Sequence, residues 1–116
     1  MNTLIPDEFT FPRPMLIQIP SGGEKHIELV GAPHTVSMKS GCISLQQGES
    51  MELHNSGEHE ELLITLSGRG EFRSPGMDPL SIHSGCILYN PPHTAHEVIN
   101  TGDQVLRYIY VVSKVS

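Results

Sequence analysis

Residues 54–68 read HNSGEHEELLITLSG. The first eight positions, His54 to Glu61, hold two histidines and three acids, and the apolar run LLITL at 62–66 follows directly. A polar loop that feeds a short apolar run and ends at Ser67-Gly68 reads as turn, strand, turn. Side chains alternate along a strand, so His59 and Glu61 share one face if the strand begins before Glu60. Glu60 then points the other way.

The same punctuation runs the length of the chain. Gly and Pro supply 11 and 9 of the 116 residues, spread almost evenly. Both residue types interrupt helices, so little room is left for long ones. Between them lie short segments rich in apolar and β-branched residues: MLIQI (15–19), HIELV (26–30), TVSMK (35–39), CISLQ (42–46), ELLITL (61–66), GEFRS (70–74), LSIH (80–83), CILYN (86–90), HEVIN (96–100) and VLRYIYVV (105–112). Short strands at this spacing predict an all-β barrel or sandwich. The length suits one domain, taken as residues 15–116. Residues 1–14, with Pro6, Pro12 and Pro14, read as an irregular N-terminal arm that covers an edge or a neighbouring subunit.

Bulk chemistry narrows the function. Seven Lys and Arg against 13 Asp and Glu give a formal charge of −6, with the few cations scattered. That argues against a nucleic-acid surface and against binding to anionic membranes. No apolar run approaches the ~20 residues of a membrane span, and the N-terminus lacks the pattern of a signal peptide. A cytoplasmic setting is therefore expected, with Cys42 and Cys86 reduced. The two cysteines sit in SGCISL and SGCILY, a weak internal repeat in which each copy reads as a turn feeding a strand. Neither belongs to a CxxC pair, and both read as small buried hydrophobes.

Imidazole and carboxylate together suit borderline divalent metals. His54 precedes the Ser56-Gly57 turn and approaches from the side opposite His59 and Glu61. A further ligand must come from far along the chain, and His96 is the candidate. It lies in GCILYNPPHTAHEVIN (85–100), where Pro91 and Pro92 stiffen a turn and His96, Val98 and Asn100 share one face. His93 reads as a turn residue at the mouth. His26, His34 and His83 take no assigned role. Tyr89, Tyr108 and Tyr110 read as core or interface residues rather than cavity residues.

Residues 48–68 and 85–100 resemble the two motifs of the cupin superfamily. The first motif is Gly, five residues, His-x-His, three or four residues, Glu, six residues, Gly. Here Gly48, His54, Glu61 and Gly68 stand at those places. The second is Gly, five residues, Pro-x-Gly, two residues, His, three residues, Asn, matched by Gly85, Pro91, His96 and Asn100. Two positions depart from the pattern: Ser56 replaces the second His of the first motif, and His93 replaces the Gly after Pro91. The resemblance implies a double-stranded β-helix, or jelly-roll barrel, of two antiparallel sheets. It also implies one divalent metal (Fe, Mn, Ni or Zn) held by His54, Glu61 and His96, with the place of the missing histidine taken by His59, shifted along the loop, or by His93 or water. A small polar metabolite is the implied substrate. A sugar or small-ligand sensor without a tight metal is the alternative. A homodimer built on the arm and the YIYVV strand is the implied assembly.

Overall fold

The computed structural model describes residues 12–115, and residues 1–11 of the expected arm lie outside that range. Nine strands run in chain order: β1 His26–Val30, β2 Met38–Leu45, β3 Ser50–Asn55, β4 His59–Ser67, β5 Arg69–Arg73, β6 Leu80–His83, β7 Ile87–Asn90, β8 Ala95–Ile99 and β9 Leu106–Lys114. They form a five-stranded sheet, β1-β2-β9-β4-β7, and a four-stranded sheet, β3-β8-β5-β6. Every recorded pairing is antiparallel. This is the all-β double-stranded β-helix expected from the sequence. No helix is long and apolar enough to cross a membrane among the described residues.

The register of the larger sheet sets which side chains face inward. Lys39, Val112, Glu61 and Asn90 occupy one rung across β2, β9, β4 and β7. Gly41, Tyr110, Leu63 and Leu88 occupy the next inward rung, and Ile43 and Tyr108 lie on the one after. The lower rungs close against Phe72, Ile82 and Val98 of the smaller sheet, with Leu45 and Leu106 at the bottom. Leu45 and Leu106 are fully buried, at 0% exposure each. The apolar core thus fills one end of the barrel and leaves the other open to polar side chains.

Three sequence expectations change. Residues 15–19 form no strand; the segment finds no ladder partner and stays exposed, with Leu16 at 99%. TVSMK and CISLQ are not two strands around a Ser-Gly turn, because β2 runs unbroken through Ser40 and Gly41. Gly41 is there for space: a Cβ would lie 2.5 Å from the Tyr110 hydroxyl oxygen. The first SGC copy is therefore mid-strand, and Cys42 is buried while Cys86 is half-buried beside the turn into β7. Lastly, β3 carries strand structure over 50–55, where no apolar alternation announces it. It is held by pairing with β8.

Truncating a buried core leucine removes transfer energy and leaves a cavity, typically costing about 2–5 kcal/mol. Leu106→Ala is expected to lose that much in urea denaturation with an unchanged slope. A loss under about 1 kcal/mol would show that the barrel floor is not packed as described.

Candidate functional site

The open end of the barrel is built by three strands. Glu61 points inward from β4 of the large sheet. His96 points inward from β8 of the small sheet, and His54 of β3 pairs directly with it in the ladder. A polar contact joins the two sheets here: His96 Nε2 lies 3.2 Å from Glu61 Oε1. The other ring nitrogen, Nδ1, donates to the Thr94 carbonyl at 3.0 Å. Phe72 stacks on the His96 ring with centroids 5.4 Å apart. The imidazole is thereby fixed in both plane and rotation. The His54 ring sits 4.2 Å from it, tilted by 58°. His54 Nδ1 donates to the Glu52 carbonyl at 2.8 Å, which leaves Nε2 as its free lone pair.

Asn90 backs this pair. Its Nδ2 lies 3.1 Å from His96 Nδ1 and 3.5 Å from Glu61 Oε1. Its Oδ1 is the one buried side-chain oxygen or nitrogen without a partner among the described residues. The residue is 1% exposed, so this acceptor is held next to the site at a cost in desolvation.

Electrostatics follow from the geometry. Burial opposes the charged form of His96, but the hydrogen bond to Glu61, the Thr94 carbonyl and the Glu61 charge outweigh it, and the pKa is raised. The Tyr108 and Tyr110 hydroxyls are both held above the usual phenol value, chiefly by burial. The charge of Glu61 adds to both, and that of Glu28 adds to Tyr110.

Around the pair lies a cavity of about 320 Å³. His54, His59, Glu61 and His96, all named from the sequence, line it together. Ile43, Met51, Leu63, Val98 and Val112 form its apolar walls. Tyr108 and Tyr110 also face it, against the expectation of core or interface packing alone. His26 lines it too, although the sequence assigned that residue no role. Its Nε2 lies 2.7 Å from the Tyr110 hydroxyl. Lys39 and Asn90 were likewise missed. Inward alternation from Leu88 to Asn90 is a usable signal for Asn90, whereas His26 and Lys39 need the strand register.

The two motif departures have structural consequences. Ser56 accepts from the Thr94 amide at 2.9 Å and donates to the Pro91 carbonyl at 2.8 Å. It therefore clamps the β3–β4 turn to the loop before β8. His93 has φ of 55°, the left-handed region where the motif's glycine is at ease. Its amide donates to the Gly57 carbonyl at 2.8 Å, and its ring stands 3.6 Å from Glu58 at the rim.

By type, these donors suit a borderline divalent ion. By placement, they stand as a Glu61–His96 hydrogen-bonded pair with His54 alongside. No group of three or more His, Cys, Asp or Glu is gathered to hold a metal among the described residues.

The family model described as "Cupin domain" matches residues 41–112. The chain belongs to the cupin family. No curated protein matches this cupin. Among solved structures, it is similar to a predicted oxalate decarboxylase from Thermotoga maritima, at 24% identity and TM-score 0.70, covering 78% of this chain and 79% of that one. An RmlC-like cupin protein from Desulfovibrio desulfuricans is similar at 17% identity and TM-score 0.72, covering 87% and 97%. A DMSP lyase from Ruegeria pomeroyi is similar at 21% and 0.59, covering 66% and 38%. At these identities the likeness shows the fold alone.

A histidine with a raised folded pKa stabilises the protein below its unfolded value of ~6.5, and that contribution is lost as pH rises through the folded value. In metal-free protein, Glu61→Gln is expected to lower the His96 pKa, followed by NMR of the ring protons. The variant's stability should also fall less than the parent's as pH rises through neutrality. An unmoved His96 titration would contradict the pairing.

Proposed function

We propose that this cupin holds one divalent metal ion at His54, Glu61 and His96, with His59 as a further donor, and acts there on a small polar metabolite. The supporting observation is the convergence of these four side chains on one cavity from three strands. Two histidines and a carboxylate can hold iron(II), and manganese, nickel and zinc accept the same donor types. When bound, such an ion supplies Lewis acidity toward a substrate oxygen. The protein's own part is orientation and exclusion. Thr94 and Phe72 fix the His96 ring, the Glu52 carbonyl leaves His54 Nε2 free, and the Asn90 amide donates to Glu61 from behind. The apolar walls displace water from a bound molecule. The free thiols suit a reducing compartment, which we propose as the setting.

A second reading has its own support. Both nitrogens of His96 are already engaged, and three donors are not gathered. A metal-free cavity that binds a small ligand by hydrogen bonds fits that arrangement.

Elemental analysis of untagged protein, before and after reconstitution with iron(II), manganese, nickel and zinc, separates the two. Near-stoichiometric metal in the parent is expected, falling at least tenfold in His54→Ala/His96→Ala, with a metal-dependent rise in melting temperature only in the parent. Metal-free parent protein after every reconstitution would leave the ligand-binding reading.

We also propose a homodimer. Leu62, Ile87 and Tyr89 lie together on the outer face of β4 and β7, with Ile87 67% and Tyr89 55% exposed. The exposed Met15, Leu16, Ile17 and Ile19 of the strandless N-terminal segment supply matching apolar area. Sedimentation is expected to give twice the 12.8 kDa chain mass, and Ile87→Lys to give that mass once. A monomeric parent would refute the assembly.

A further inference from the structure

Lys39 is the only Lys or Arg among the described residues that line the cavity. It shares a rung with Glu61, with Val112 of β9 between them. Two strand spacings separate the backbones of Lys39 and Glu61, about 10 Å. Among the described residues Lys39 makes no ion pair; the recorded pairs are Arg73–Glu71, His93–Glu58 and His96–Glu61. Lys39 is exposed, so it meets an anion where the cavity opens to solvent and water screens part of the attraction.

The next rung supplies a hydroxyl. Tyr110 lies across Gly41, whose missing side chain makes room for the ring. His26 holds the phenol from β1 at 2.7 Å, with the two rings edge to face. The ring nitrogen can donate to the phenol oxygen, which turns the phenol O–H toward the cavity. An anion there selects that arrangement. The acids whose charge reaches Tyr110 are Glu28 and Glu61. Glu61 is taken up by His96, and Lys39 supplies counter-charge on the adjoining rung.

We propose that the cavity takes a small carboxylate, its charge met by Lys39 and one oxygen by the Tyr110 hydroxyl that His26 positions, on the β1-β2-β9 side of the sheet that carries Glu61. This rests on the cavity being the functional site, but not on the metal. It names a substrate class for the proposed function: a molecule with a carboxylate at one end and its reacting centre some ångströms away, near Glu61 and His96. The cavity volume stands at the small end of ligand sites, which limits the molecule to metabolite size.

Isothermal titration of the whole protein with two- to six-carbon mono- and dicarboxylates tests this, with the matching neutral amides as controls. Each titration is run on metal-stripped protein and on protein reconstituted with manganese. At least one carboxylate is expected to bind in the stripped state while its amide does not. Lys39→Met should weaken that binding at least tenfold, Tyr110→Phe and Gly41→Ala should each weaken it severalfold, and Lys39→Arg should restore most of it. Equal binding by parent and Lys39→Met would overturn the proposal, as would failure of every carboxylate in both states. Carboxylates that bind only the manganese form, indifferent to Lys39, would overturn this inference and leave the metal reading intact. Lys39-dependent binding by protein that takes up no metal would do the reverse.

Discussion

Glu61 and His96 meet at 3.2 Å across the gap between two sheets. Each belongs to a different sheet, and 35 positions (96 − 61) separate them in the chain. The contact survives only if both registers are kept. A one-residue slip of either strand would turn its side chain to the outside. The β4 register is fixed on both sides, against β9 and β7. The β8 register is fixed by β3 on one edge and β5 on the other. The packed floor below, from Leu63 and Val98 down to Leu45 and Leu106, holds the two sheets at the distance the contact needs. The apolar core and the polar site are therefore successive levels of one ladder.

Burial gives that contact its chemistry. His96 is 2% exposed, yet its pKa rises instead of falling. A carboxylate and a carbonyl sit at opposite nitrogens of one ring, and their attraction for the charged form exceeds the desolvation cost. The same carboxylate adds to the burial that raises the Tyr108 and Tyr110 hydroxyls. One half-buried acid thus bears on the protonation of three neighbours, raising His96 directly and adding to the effect of burial on the two tyrosines. The orphan Oδ1 of Asn90 is a further polar group kept where packing alone would have chosen a hydrocarbon.

Much of this was legible in the sequence because punctuation and alternation are local. Gly and Pro spacing announced the class, and eight of the segments read as strands lie within or largely over observed ones. The failures were non-local. Residues 15–19 look like a strand by composition but have no neighbour to bond with, and composition carries no record of partners. β3 has little strand character of its own, and its partner β8 supplies the reason it is extended. Gly41 looked like a turn because its real constraint, the Tyr110 ring, lies 69 positions (110 − 41) away. In the site, His54, His59, Glu61 and His96 were visible as residues that could reach one place. His26 and Lys39 were not, since only register brings β1 and β2 to the same wall. Ser56 and His93 looked like losses from a pattern, and the structure gives both a positive task in holding the turns together.

The measurement that bears most directly on the site is a crystal structure of manganese-reconstituted protein, with anomalous data. One strong anomalous peak is expected in the barrel, in contact with His54, Glu61 and His96. Density with no such peak, and Glu61 still bonded to His96 Nε2, would contradict the metal centre.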